Sequence, residues 1–177
     1  MRRRPTVCST SGPGRRVCDT SATMRTSVDV HNYLVEREAP HELVPLKGRV
    51  RSPKRVAAVL GLPPKQVGRV VLFDGDGGPV AALVSASLEP NPSHVAGAAG
   101  VGELTEIPPE RASDLTGFLP EAMPPAGLPE GTTVVMDRGL SDQEVLYFPG
   151  GEATSVLKIR PDDLARATHA TVARISG

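Results

Sequence analysis

Residues 67–85 read V-G-R-V-V-L-F-D-G-D-G-G-P-V-A-A-L-V-S, two apolar runs around a D-G-D-G-G cluster. β-Branched and aromatic residues flanking a Gly/Asp turn predict a hairpin with strands over 67–73 and 80–85. Upstream, Ser52-Pro53 predicts a short helix: Ser52 is the N-cap, Pro53 the first helical residue, and Val56, Val59 and Leu60 the apolar face. Gly61 ends it. Further upstream, Val28, Tyr33, Leu34 and Val35 predict a helix that stops before Pro40, followed by extended chain over 41–46. Downstream, Asn91-Pro92 repeats the cap-then-proline signal and opens a helix through Val95 and Ala99 to Gly100, with a strand over 104–107. Residues 116–131 hold four prolines, Pro120, Pro124, Pro125 and Pro129, and read as a long stiff loop. Strands follow over 132–136, 145–148 and 155–159. Pro161-Asp162-Asp163 opens a final helix through Leu164 and Ala167, and a strand over 171–175 closes the chain. Short helices interspersed among hairpins predict an α+β domain.

The 177 residues suffice for one core, assigned to residues 24–177. Hydrophobic residues are 39% of the chain and aromatics 3%, so that core is built from Val, Leu, Ala and Ile. The scarcity of rings argues against a base-stacking platform for single strands. Residues 1–23, rich in Arg, Ser, Thr, Gly and Pro, show no apolar period and are expected to be disordered. Met24 follows directly, so a functional basic tail and a mis-assigned start codon are both open readings. Net charge is zero, but residues 1–23 carry five Arg and one Asp, leaving 15 Lys and Arg against 19 Asp and Glu in residues 24–177. Any nucleic-acid contact by this mildly acidic domain is expected to be local, weak or helped by a partner. With no membrane-length apolar run and no signal-peptide pattern, the expected location is cytoplasmic. Cys8 and Cys18 match neither a CxxC pair nor a zinc half-site, and the four histidines are scattered, so no metal or cofactor is expected.

No nucleophile elbow, phosphate loop, dinucleotide turn or zinc helix is present in the sequence. Two segments stand out instead. Residues 116–127, T-G-F-L-P-E-A-M-P-P-A-G, form a Gly/Pro loop that is either a rigid connector or a site wall. Gly150-Gly151, after V-L-Y-F, is either a strand-end turn or a place where a ligand approaches the backbone.

The succession V-G-R-V-V-L-F, T-G-F-L-P-E-A-M-P-P-A-G, V-V-M-D, V-L-Y-F-P-G-G and V-L-K-I-R-P-D-D-L resembles the YbaK/EbsC and prolyl-tRNA synthetase-associated editing domains, over residues 28–176. The resemblance implies a curved, mixed, partly barrel-like sheet flanked by short helices. It also implies a metal-free pocket for the aminoacylated 3′ end of tRNA, hydrolysis of wrongly charged aminoacyl-tRNA, and an aminoacyl-tRNA synthetase as a further partner. It assigns Thr116, Gly117, Phe118, Pro124, Pro125 and Gly127 to the pocket loop. Gly150 and Gly151 become the strand-end glycines and Asp137 the aspartate closing the preceding strand. Where the family carries Lys-Thr, this chain has Arg69-Val70. Arg69 is never deprotonated, which excludes a general base there but leaves electrostatic positioning. The family's Gly-Gly-x-x-Pro loop also departs here to Glu121-Ala122. The expected catalytic set is thus Arg69, Gly117, Gly150 and Gly151, and a non-catalytic binding module is the competing class. Because residues 1–23 lack any apolar period, their deletion is expected to leave the melting temperature unchanged; a drop of several degrees would mean that they pack on the domain.

Overall fold

The computed structural model describes residues 24–176. The expectations for residues 1–23, the two cysteines included, lie outside the described residues. The hairpin forms as β2 (Gly68–Gly75) and β3 (Gly78–Ser85), antiparallel, with Arg69 opposite Val84 and Gly75 opposite Gly78. Only Asp76 and Gly77 lie between the strands, the Asp-Gly pair that a two-residue hairpin turn favours. The strands therefore run further into the D-G-D-G-G cluster than the sequence pattern suggests.

β4 (Thr105–Glu106) pairs antiparallel with β2, while β5 (Thr133–Asp137) lies parallel to β3 and β8 (Thr171–Ala173) parallel to β5. The result is a mixed sheet of order β4-β2-β3-β5-β8. A second, antiparallel sheet contains β1 (His41–Pro45), β7 (Ser155–Ile159) and β6 (Leu146–Pro149), in the order β1-β7-β6. The two meet through a parallel bridge between Val67 and Tyr147, and a Cβ on Gly68 would run into the Phe148 ring. The described strands make two sheets joined at this corner and not a closed barrel.

Strand alternation gives the larger sheet two faces. Leu72, Ala81, Leu83, Val134 and Met136 belong to the main core with Phe118, Phe148, Leu157 and Leu164, and Val70 packs against it. Val71, Phe73, Val80, Ala82, Val84 and Val135 form a second core with Val95 and Ile175.

Around the sheets lie α1 (Ser27–Glu36), α2 (Pro53–Leu60), α3 (Pro92–Ala99), α4 (Pro109–Thr116), α5 (Arg138–Ser141) and α6 (Pro161–Thr168). The helical face of α1 is Val30 and Leu34, spaced i,i+4; Val28 and Val35, expected to share the core face, are 62% and 53% exposed. In α2, Val56 and Ala57 are buried while Val59 faces solvent, and Ser52 occupies the N-cap without a side-chain cap bond. Asn91 does cap α3, accepting from the N–H groups of Ser93 and His94. α4 carries no apolar stripe in the sequence and buries only Ala112 and Thr116. Its punctuation is nonetheless regular, with Pro109 at the first helical position and Gly117 left-handed at its end, φ +84°.

Among the described residues no helix is long and apolar enough to cross a membrane. Phe148 is fully buried at the corner where the sheets meet. Phe148→Ala is expected to cost about 3–5 kcal/mol in urea unfolding; a loss below about 1 kcal/mol would show that the corner does not hold the sheets together.

Candidate functional site

The Gly/Pro loop is fastened by a residue that no sequence pattern marks. Arg25 donates its N–H to the Gly117 carbonyl at 2.8 Å and its Nη1 to the Gly127 carbonyl at 2.6 Å, and sets its guanidinium 5.0 Å over the Phe118 ring. Thr26 and Asp29 close a reciprocal capping box, so the start of α1 is fixed against the same loop. Inside the loop, Thr116 Oγ1 donates to the Ala112 carbonyl and accepts from the Phe118 N–H. Phe118, Pro124, Pro125 and Gly127 are all buried.

The strand-end glycines join this cluster. A Cβ on Gly151, where φ is +98°, would lie 3.0 Å from Thr26 backbone atoms and from Val30 Cγ2. One on Gly117 would lie 2.8 Å from Arg25 Cγ, and one on Gly150 2.8 Å from Ser155 Oγ. Their missing side chains make room for the protein's own chain. Their N–H groups are committed as well: Gly117 donates to Ser113 O at 2.8 Å, Gly150 to Ser155 O at 3.0 Å, and Gly151 to Ala122 O at 3.1 Å.

Arg69 and Asp137 stand elsewhere. Gly68 faces Phe148 and Val70 the main core, so Arg69 projects from the opposite face of the sheet, the face that carries Val71 and Phe73. Its Nη2 lies 2.7 Å from Glu89 Oε1 and donates to the Leu88 carbonyl at 3.2 Å. Asp137 follows Met136 and so falls on Arg69's face. Its buried carboxylate accepts from the N–H groups of Ile175 and Ser176, the Ser176 hydroxyl and the Gly139 N–H. The structure thus brings Thr116, Gly117, Phe118, Pro124, Pro125, Gly127, Gly150 and Gly151 together, and sets Arg69 and Asp137 apart from them.

Where the loop meets the strand-end turn there is a cleft of about 170 Å³, walled by Arg25, Thr26, Leu119, Gly151 and residues 152–154, with Arg49 at its side. Arg49 pairs with Glu121 at 3.3 Å. The N–H groups of Glu152, Ala153 and Thr154 donate no hydrogen bond among the described residues. They are uncommitted donors on the turn side of this cleft. Histidines scattered in sequence also meet in space, His31 Nδ1 lying 3.0 Å from His41 Nε2, yet no three His, Cys, Asp or Glu assemble as a metal-ligand set among the described residues.

Glu152 accepts from the Ser27 hydroxyl at 2.6 Å and the Ser27 N–H at 3.0 Å. These bonds, the hydroxyl's first, hold its carboxyl below the usual carboxylate range against an opposing effect of burial. A carboxyl lowered in the folded state contributes stability above its unfolded pKa, lost as pH falls through its folded one. Between about pH 6 and about pH 3 the urea midpoint of the wild type is expected to fall further than that of Glu152→Gln. Parallel profiles would mean that the Ser27 bonds contribute nothing.

Solved structures share this architecture. A hypothetical protein, APE2540, superposes with a TM-score of 0.78 at 24% identity, over 84% of this chain and 99% of its own. A proposed trans-editing enzyme for prolyl tRNA synthetase gives 0.76 at 25% identity, over 85% and 96%. A proposed signal transduction protein from Marinobacter aquaeolei VT8 gives 0.60 at 18% identity, over 84% of this chain but 30% of that longer one. No curated protein sequence matches the chain. The aminoacyl-tRNA editing domain family matches residues 48–167, about two thirds of the chain, from just ahead of α2 through the hairpin, the Gly/Pro loop and the Gly150-Gly151 turn into α6, and the chain belongs to that family.

Proposed function

We propose that this protein hydrolyses the ester between a wrongly attached amino acid and the 3′ ribose of tRNA, acting apart from the synthetase that made the error. The family membership carries the reading, and the cleft between the Gly/Pro loop and the strand-end turn supplies a place for it. At about 170 Å³ the cleft is smaller than the ~300–1,000 Å³ of ordinary ligand pockets. It suits an aminoacyl group, with the nucleotide lying outside.

An aminoacyl ester needs a positioned water and donors for the developing oxyanion more than it needs a protein nucleophile. The N–H groups of residues 152–154 fill the donor role in this scheme, because those of Gly117, Gly150 and Gly151 are already bonded. Gly117, Gly127, Gly150 and Gly151 then act by letting the loop, the turn and α1 pack closely. Thr116, Phe118, Pro124 and Pro125 stiffen the wall, and Asp137 anchors residues 175–176. A synthetase is the natural source of the mischarged substrate and a candidate partner.

Replacement of the family's lysine by Arg69, and the ion pair that Arg69 makes with Glu89, favour the second reading, a module that binds charged tRNA ends without cleaving them. A deacylation screen over mischarged tRNAs separates the two. The hydrolase reading expects amino acid release from at least one of them. Arg69→Ala should then change kcat/KM by less than about tenfold, since its charge faces away from the cleft. A loss of about 10²–10³ at unchanged Tm, the effect of deleting an oriented donor, would move the reacting ester to the Arg69–Asp137 face. Binding without release, with hydrolysis restored by Arg69→Lys, would establish the module.

A further inference from the structure

Between Glu42 and Asp74 the chain carries seven Lys and Arg and no carboxylate. Residues 24–177 hold 15 such cations and 19 carboxylates, so the window concentrates nearly half the positive charge of a domain that is acidic elsewhere. Lys47, Arg49, Arg51, Lys54, Arg55 and Lys65 are exposed. Of these six only Arg49 pairs with a carboxylate among the described residues. Surface sequence that merely keeps a domain in solution mixes both signs along the chain, whereas this stretch carries one; in space Glu121, against Arg49, and Glu152, in the cleft wall, are carboxylates set beside it.

The fold ties the strip to the cleft. Leu46 donates its N–H to the Thr154 carbonyl at 2.8 Å and Val50 to the Ala153 carbonyl at 2.9 Å, lacing residues 46–50 to the turn that walls the cleft. Arg49 lines the cleft itself. From there the cations continue through Arg51 into the first turn of α2, where Val56 and Ala57 are buried and Lys54 and Arg55 are exposed. No aromatic residue occurs between positions 42 and 73, so the strip offers charge without stacking surfaces.

We infer that this strip, chiefly Lys47, Arg51 and Arg55 beside Arg49, docks the sugar-phosphate backbone of the tRNA acceptor end next to the cleft. The inference rests on the reading of the cleft as an aminoacyl-tRNA site and adds the surface that grips the polynucleotide. Lys and Arg neutralise phosphates and release counterions irrespective of sequence, so the strip supplies affinity and orientation while the cleft supplies selectivity.

The test uses the full chain and unfractionated tRNA, with binding measured across a salt series. A Lys47→Ala/Arg51→Ala/Arg55→Ala triple variant is compared with Arg111→Ala/Arg138→Ala/Arg174→Ala, which removes equal charge outside the strip. The strip triple is expected to bind about tenfold or more weakly at low salt, with a log–log salt slope shallower by about 2–3. The control triple is expected to keep the wild-type slope. Equal losses in both triples would reduce the effect to net charge and overturn the strip, as would a strip triple with wild-type slope. Deacylation separates this from the parent reading. If the wild type hydrolyses no mischarged tRNA while the strip triple alone loses tRNA, the docking surface stands and the hydrolase falls. If the wild type hydrolyses and the strip triple binds and turns over as it does, the hydrolase stands and the surface falls.

Discussion

One arginine holds the arrangement on which the cleft depends. Arg25 bonds the carbonyls of Gly117 and Gly127, the two ends of the Gly/Pro loop, and covers the Phe118 ring between them. Fixing the backbone of such a loop costs about 1–2 kcal/mol per residue; Phe118, Met123 and Ala126 anchor it in the main core, and Arg25 adds bonds at its two ends. Prolines restrict it locally, while Arg25 joins its ends to each other and to the start of α1. Because Gly151 packs on Thr26 and Val30, the same few residues also set the strand-end turn. Loop, helix start and turn form one mechanical unit, and the cleft is the seam between them.

The second constraint is the pleat of β2. A strand sends successive side chains to opposite faces, so Arg69 and Val70 cannot both look at the Gly/Pro loop. Val70 does, packed against the main core, and Arg69 is left on the side of Asp137 with its charge held by Glu89. A linear motif carries no record of this division, and residues that line up along a family pattern can sit on two sides of a sheet.

The hairpin, the capped starts of α2 and α3, and the strands over 132–136, 145–148 and 155–159 were legible because turn residues and apolar runs have local causes. Gly61 and Gly100 end their helices in the left-handed conformation for the reason the sequence suggests. What stayed hidden was set by tertiary packing. α4 lacks an apolar stripe, and the face of α1 is chosen by what Val30 and Leu34 meet rather than by the count of valines. Arg25 sits beside the low-complexity start and belongs to no periodic pattern. The glycines were conspicuous in sequence, but what requires them in the structure is close packing of the protein's own chain.

The size of the cleft and the distribution of charge bear on each other. In the proposed mode a space of about 170 Å³ takes the aminoacyl group and leaves the terminal nucleotide and every phosphate outside. Affinity for the polynucleotide must then come from the surface, yet residues 24–177 carry more carboxylates than cations and would repel it on average. Gathering cations beside the cleft reconciles the two facts, and residues 47–55 supply five of them, Lys47, Arg49, Arg51, Lys54 and Arg55, with no carboxylate between. Hydrogen bonds from Leu46 to Thr154 and from Val50 to Ala153 fix their place beside the cleft. Under the proposed docking, the acidic remainder disfavours other orientations of a polyanion and so favours the one in which the strip meets the phosphates and the charged 3′ end faces the seam.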